Sequence, residues 1–442
     1  MALRGGSWAK VVLVVVLVAV MTVPSGSTLE AHPAFLPTSH EVTTDVRSTS
    51  SSEAPPQTPS VAPSVAYTLD LCTNHLYSGN ALPTDCGSDP VGVAYDSGKE
   101  EVFVTNGASD NVSVISNVSN KVVATIPVGS YPYGVAYDGG KGEVFVANLG
   151  SNNVSVISDV SNKVVATIPV GSSPDGVAYD GGKGEVFVAN GGSNNVSVIS
   201  GASNTVVATI PVGANPRGMA YDSGKGEVHV ASYYSYNVSV ISDASNTVVA
   251  TIPVGTSPDG VAYDGGKGEV FVANDSSNNV SVISDASNTV VSTIPVGTNP
   301  RGMAYDSGKG EVYVANYLSN NVSVISDASN TVVATISVGT DPQGVAYDLA
   351  NGYVYVSNRG QGTISIINPA SQSSSTSPGN GNQTTGLFGL PGDDGYILLV
   401  GLSAVVVAAV VIALRHGKKA KLAPPPEVYQ GYSQQPPPPP RQ

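Results

Sequence analysis

PDGVAYD (174–180), GEVFVAN (184–190), NVSVIS (195–200) and NTVVATIPVG (204–213) follow one another near the middle of the chain. Each is a short run rich in Val, Ile or aromatic residues, bounded by Gly, Asn, Asp, Ser or Pro, which is the pattern of strands joined by tight turns. The unit repeats. Its V-A-Y-D or M-A-Y-D tag begins at Val93, Val135, Val177, Met219, Val261, Met303 and Val345, always 42 residues after the last. A period of about 40 with four strands per unit marks propeller blades, whereas the coils of a β-solenoid, the alternative, give a shorter period. Seven tags predict an all-β fold, a seven-bladed β-propeller of four-stranded blades over residues 65–370.

The strand chemistry agrees. In the tag strand, Gly134 and Ala136 alternate with Val135 and Tyr137, placing minimal side chains where strands crowd the axis and larger ones on the other side. The runs 144–146 and 154–157 are apolar without alternation, as expected of strands covered on both faces by neighbouring blades. The seventh unit has three strands and then Pro369 and a Ser-rich run in place of a fourth. The apolar stretch 65–71, ahead of the first tag, can supply the missing strand and close the ring. Cys72 and Cys86 flank the segment that follows and are expected to form a disulfide if the chain is secreted, with two free thiols as the alternative.

The address is written at the ends. Arg4 and Lys10, an apolar run at 11–21 and the small residues Ser25, Gly26 and Ser27 read as a secretory signal peptide over 1–27. Residues 28–64 are rich in Ser, Thr and Pro and 371–392 in Ser, Gly, Asn and Thr, so both read as linkers or stalks. Residues 396–414 carry no charge, long enough as a helix to cross a hydrocarbon layer that needs about 20 residues. Asp393 and Asp394 precede that span, while Arg415, Lys418, Lys419 and Lys421 follow it, placing the propeller outside and the C-terminus in the cytoplasm. The tail 415–442 is Pro-rich and extended or disordered, a segment that a proline-recognising partner could read. With 19 Lys and Arg against 33 Asp and Glu, the net charge of −14 excludes a protein that neutralises nucleic-acid phosphates. Two cysteines and five histidines without clustered spacing point to no metal site and no cofactor.

At VFVTN (102–106), VFVAN (144–148, 186–190 and 270–274), VYVAN (312–316) and VYVSN (354–358) the units resemble the YVTN family of β-propeller repeats, and VHVAS (228–232) departs most. That resemblance implies a surface-layer or cell-surface protein, often archaeal. GLPGD (389–393), ahead of the apolar span, looks like the anchors of archaeal surface proteins. Related propellers include lyases and lactonases, so the fold does not choose a function.

Differences among the units locate the candidate site. The first-to-second turns (DGGKGE, DSGKGE) and the third-to-fourth turns (SDASN, SGASN) barely vary. The second-to-third loops do vary: NGASDN, NLGSNN, NGGSNN, SYYSYN, NDSSNN, NYLSNN and NRGQGT. So does the middle residue of each P-x-G blade entry, namely Val91, Tyr133, Asp175, Arg217, Asp259, Arg301 and Gln343. Propeller geometry puts both variable sets at one face, around the channel mouth, and diversity on one face of a constant scaffold describes a binding surface. Tyr233, Tyr234, Tyr236 and Tyr317 would be aromatic anchors for sugar rings or protein side chains, Arg217 and Arg301 would meet anionic groups, and Arg359 is a further ligand-binding candidate. Asp175, Asp259 and Asp341 would alternate with them in sign. Envelope polysaccharide or a surface protein is the expected partner, besides the membrane itself. Neutral drift in exposed loops is the competing explanation.

An enzyme needs an asymmetric cluster of reactive groups. His229 is the one histidine among the blades and reads as structural, and Asp138, Lys141 and Glu143 recur in blades one to six, the seventh keeping only the Asp, as a turn-forming Asp with a local ion pair. The expectation is therefore a non-catalytic module for binding, adhesion or envelope structure, with a lyase- or lactonase-like enzyme as the alternative. Sequons stand at Asn111, Asn117, Asn153, Asn195, Asn237, Asn274, Asn279, Asn321 and Asn382. They are either glycosylation sites or a strand entry copied with the repeat.

Overall fold

Seven antiparallel sheets follow from the repeat, one per blade. The computed structural model describes residues 62–80 and 88–369, and all statements of structure refer to these. In the third blade the strands are Pro174–Asp180, Glu185–Asn190, Asn195–Ser200 and Thr205–Pro211, paired in sequence order, and blades one to six share this plan. The innermost strand is the tag strand. The second and third strands hold the fully buried Val, Ile and Phe side chains, while the outer strand alternates between exposed and covered positions. The core therefore lies between blades: Ala178, Phe187 and Val198 of blade three pack against Met219, Val228 and Val230 of blade four.

Small residues on the inner strand have a specific cause. Gly and Ala of the tag strand face the next blade, and Val and Tyr face the previous one. A Cβ on Gly134 would stand 2.1 Å from the Asp175 carbonyl oxygen of the next blade, and one on Gly344 would stand 2.2 Å from that of Val91. The close approach thus passes round all seven blades and returns from the seventh to the first, so only glycine fits. At the other end of the strand the tyrosines complete a second ring. Each tag phenol lies beside the tag aspartate of the preceding blade, as Tyr179 beside Asp138 and, across the seam, Tyr95 beside Asp348. Burial first, and then the neighbouring carboxylate, pushes the Tyr179 and Tyr347 hydroxyls up to about 12.

The turns follow local chemistry. Asp138 Oδ1 accepts the Gly140 and Lys141 amides at 2.8 and 3.2 Å, and Gly142 closes that turn at φ 68. The local ion pair expected beside each turn holds only in part. Lys141 reaches Glu143 at 3.5 Å, but Lys99, Lys183, Lys225 and Lys267 donate to the backbone carbonyls of Asp159, Asp243, Asp285 and Asp327 in the next blade's outer turn. Blade three carries Gly201 at that turn and so lacks the carboxylate that Lys267 approaches to 4.0 Å at Asp327.

Ring closure is shared between the chain ends as expected. Ser64–Asp70 pairs antiparallel with Thr363–Asn368, supplying the fourth strand of the last blade. A fifth strand, His75–Ser78, pairs with Ser64–Asp70 from outside and was not foreseen. Asn74 clamps this addition to blade one, its Nδ2 donating to the Val122 carbonyl at 3.0 Å and its Oδ1 accepting the Val122 amide at 2.9 Å. Cys72 is disulfide-bonded. Its expected partner Cys86, the signal peptide, the stalk, Asn382, the apolar span 396–414 and the cytoplasmic tail lie outside the described residues. Among the described residues no helix is long and apolar enough to cross a membrane.

Candidate functional site

In every blade the pairing of first and second strands skips at the entry: Pro174 faces Asn190 and the ladder resumes only at Val177 with Val188. This bulge frees the middle residue of P-x-G from the ladder and re-aims it. A central cavity of about 160 Å³ results, lined by all seven innermost strands. Tyr133, Asp175, Asp259 and Gln343 line its mouth, and the Val or Met that opens each tag lines its wall. The second-to-third loops stand beside these entries, because the same bulged pairing brings Asn190 to Pro174. Both variable sets thus meet at one end of the axis.

Charges there are paired across blades. Arg217 Nη1 donates to Asp259 Oδ2 at 2.6 Å, its Nε donates to Asn215 Oδ1 at 3.1 Å, and its guanidinium lies 3.6 Å from the centre of the Tyr233 ring. Arg301 repeats the stacking on Tyr317 at 3.6 Å, with Nε donating to Asp275 Oδ2 at 3.3 Å and Nη1 to Gln343 Oε1 at 3.5 Å. Gln343 Nε2 in turn donates to the Tyr133 hydroxyl, passing over the small buried Val91. Both arginines therefore spend their charge on protein carboxylates and aromatic faces, and neither is the open anion receptor the sequence suggested.

Arg359 and Asp341 are placed differently from expectation. Arg359 grips Asp89 with Nε and Nη2, the latter at 3.0 Å, and also donates to the Tyr131 hydroxyl. It is a clamp between the seventh blade and the first two. Asp341 is not in the charge ring, since Gln343 holds the entry position of its blade. It occupies the left-handed turn before Pro342 at φ 52 and donates its amide to Asn320 Oδ1 at 3.0 Å.

Asp175 is the exception in the ring. Half-buried at the mouth, it lies within electrostatic reach of Arg217, Arg301 and Asp259 but makes no hydrogen bond with them. Desolvation first, then the Asp259 charge, pushes its carboxyl up to about 7 against the opposing pull of the two arginines. Tyr133 beside it is raised beyond the usual phenol range, chiefly by burial.

The rim carries the aromatic residues of blade four. Tyr234 is 64% exposed and Tyr236 48%, while Tyr233 lies under Arg217 with its ring edge-on to Tyr234. Tyr236 sits at φ 54, where the equivalent Asn152, Asn194, Asn278 and Asn320 accept the next blade's entry amide through their side chains. His229 lies in the interior of the second strand of blade four, Glu227–Ser232. It fills a buried slot taken elsewhere by Phe or Tyr, with neither ring nitrogen hydrogen-bonded, and burial lowers its pKa to about 4.

Two sequons sit where a glycan has no room in the fold. Asn274 is fully buried and its Nδ2 donates to Asn279 Oδ1 and Ser281 Oγ at 2.8 and 2.9 Å. Asn117 is 7% exposed and donates to Asp348 Oδ2 at 3.0 Å. The same ladder recurs as Asn148 to Asn153 and Ser155. The Asn and the Ser of the repeated N-V-S are therefore acceptors for the preceding strand, which accounts for the 42-residue period of the sequons by structure alone.

Comparison of sequences finds no matching protein family and no matching curated protein. Among solved structures, the hydrazine synthase of Kuenenia stuttgartiensis is similar in fold, with a TM-score of 0.58 at 19% identity over 66% of this chain and 98% of its own. The chain is a seven-bladed β-propeller. At that identity the likeness carries the fold and nothing about a site.

Proposed function

We propose that this chain is a membrane-anchored, cell-surface propeller of YVTN type, resembling surface-layer proteins, that acts as a non-catalytic binding or adhesion module through the variable end of its axis. One observation carries this reading: the residues that differ between otherwise near-identical blades converge on the cavity mouth and its rim, while the opposite turns repeat. The apolar span 396–414 would anchor it and the leader would export it. Exposed Tyr234 and Tyr236 offer flat amphipathic surfaces suited to envelope sugars or a surface protein. Glycosylation, where it occurs, fits the half-exposed sequons Asn111, Asn153, Asn195, Asn237, Asn279 and Asn321 rather than Asn117 or Asn274.

The test is binding of the purified, labelled protein to envelopes of its source organism and to a glycan array. The comparison variant is Tyr234→Ala with Tyr236→Asn, the second change restoring the residue of the sister blades. Loss of binding in the variant supports the rim as the adhesive surface. Binding that the variant keeps refutes it and moves weight to a spacer that only holds the envelope off the membrane.

A further inference from the structure

The mouth of the cavity has one charge too many. Arg217 is neutralised by Asp259, Arg301 by Asp275 and Arg359 by Asp89. Asp175 remains, its carboxylate on the cavity and its hydrogen-bonding capacity unused among the described residues. A carboxylate held between low-dielectric walls with no donor of its own attracts a donor that carries positive charge. Much of the remaining lining is aliphatic: Val177, Met219, Val261 and Met303 line the same cavity.

We propose that the central cavity is a binding site for a small aliphatic primary ammonium, its charged head on Asp175 and its alkyl body against the Val and Met ring. The cavity volume of about 160 Å³ has room for about five waters, and hence for a ligand of a few heavy atoms. A divalent metal is a poorer match, since it seeks six or more oxygens and the second carboxylate at the mouth, Asp259, is taken by Arg217 at 2.6 Å. An anion is poorer still, because all three arginines of this end are paired. The site deepens the binding role proposed above and shares its end of the molecule, but it rests on Asp175 rather than on the exposed tyrosines.

The charged and titratable groups facing Asp175 are Tyr133, Arg217, Asp259 and Arg301. With its carboxyl near neutrality, a bound ammonium would have to displace its proton below that point, so affinity should fall about tenfold per pH unit in acid and level off above it.

Calorimetric titration of the purified full chain with n-butylammonium, n-butanol and butyrate at pH 8 tests the proposal. Butylammonium should bind at least tenfold more tightly than either analogue, and more weakly at pH 6 than at pH 8. Asp175→Asn and Asp175→Gln, the latter carrying the residue that blade seven has at this place, should each lose at least tenfold. Their unfolding midpoints, measured alongside, should stay with wild type. Butanol binding as tightly as butylammonium, undiminished affinity in both well-folded variants, or no butylammonium binding at millimolar concentration would each overturn it. The Tyr234→Ala, Tyr236→Asn variant should keep butylammonium affinity, so failure of the rim reading and failure of this one give different results.

Discussion

His229→Phe should stabilise the propeller, and by an amount that grows as the pH falls. The imidazole occupies a fully buried position in blade four, in register with Ala220 and Val240, where blades one, two, three and five place Phe103, Phe145, Phe187 and Phe271. At pH 7.5 the ring is neutral in both folded and unfolded chains, and the cost is that of two unpaired ring nitrogens, on the order of 2 kcal/mol in total. As pH falls below 6.5 the unfolded chain takes up a proton that the folded one refuses until about pH 4. Folded-state depression of a basic group means that stability is lost between those two values, at about 1.4 kcal/mol per pH unit, or about 3 kcal/mol in all. Below pH 4 both states are protonated and the difference stops growing. Urea unfolding of wild type and His229→Phe at pH 7.5, 6, 5 and 4 reads this directly, because the acid sensitivity of every other group cancels in the difference. The variant should gain about 2 kcal/mol at pH 7.5 and about 5 kcal/mol at pH 4. A difference that stays constant from pH 7.5 to 4 would refute the account of a buried, unpartnered imidazole.

Three further outcomes follow from the backbone and the ladder. Glu100 stands at φ 60 in the turn position that Gly142 and its equivalents hold, so Glu100→Gly should raise stability by about 1 kcal/mol in the same denaturation assay. Gly260→Ala would place a Cβ 2.1 Å from the Arg301 carbonyl oxygen, and the rigid neighbour makes a loss of about 3 kcal/mol or more the expected result. Glycopeptide mapping of the native protein should find Asn274 unmodified, since its side-chain amide is spent inside the blade.

The period, the strand count and the shared closure were legible because they are backbone matters that repeat: a Val- and Ile-rich run bounded by turn residues reads the same way seven times. His75–Ser78 was not legible, because four residues of mixed character show no period and their pairing to Ser64–Asp70 is a contact with a strand that itself had to be inferred. Side-chain pairings at the mouth were missed for a different reason. Arg217 meets Asp259 and Arg301 meets Gln343 at a separation of 42 residues, so the entry residues of successive blades are neighbours in space even though they are distant in sequence. Reading each entry residue against the one 42 further on would have marked these as neighbours, but it offers Arg217 to Asp175 as readily as to Asp259, and the choice of Asp259 shows only in the structure. The Arg359 clamp on Asp89 needs ring closure as well, since its partner lies 270 residues away.

Departures from the repeat fall into two groups that need different explanations. At the seam, the exceptions gain bonds: Tyr355 donates to Asn120 at 2.8 Å and Arg359 holds Asp89, while Ser357 donates to the Val91 carbonyl at 2.7 Å as Thr105 of blade one does to that of Tyr133. Near-identical blades could pair in several registers, and contacts available only between the seventh blade and the first favour one closed ring over its competitors. In blade four the exceptions lose bonds. Ser232 replaces the Asn of the ladder and leaves its own hydroxyl and Asn237 Oδ1 unsatisfied, Tyr236 holds a left-handed backbone without the amide-accepting side chain of its equivalents, and His229 lies buried with both nitrogens unpaired. Each of these costs stability on its own, and closure accounts for none of them, because blade four lies opposite the seam. Ser232 and Tyr236 bracket the one loop that puts three tyrosines at the rim, next to the arginine that stacks on Tyr233. Strain gathered beside a surface of that chemistry is the pattern expected if the rim binds a partner as proposed above, and blade four, rather than the seam, is where that proposal is to be tested.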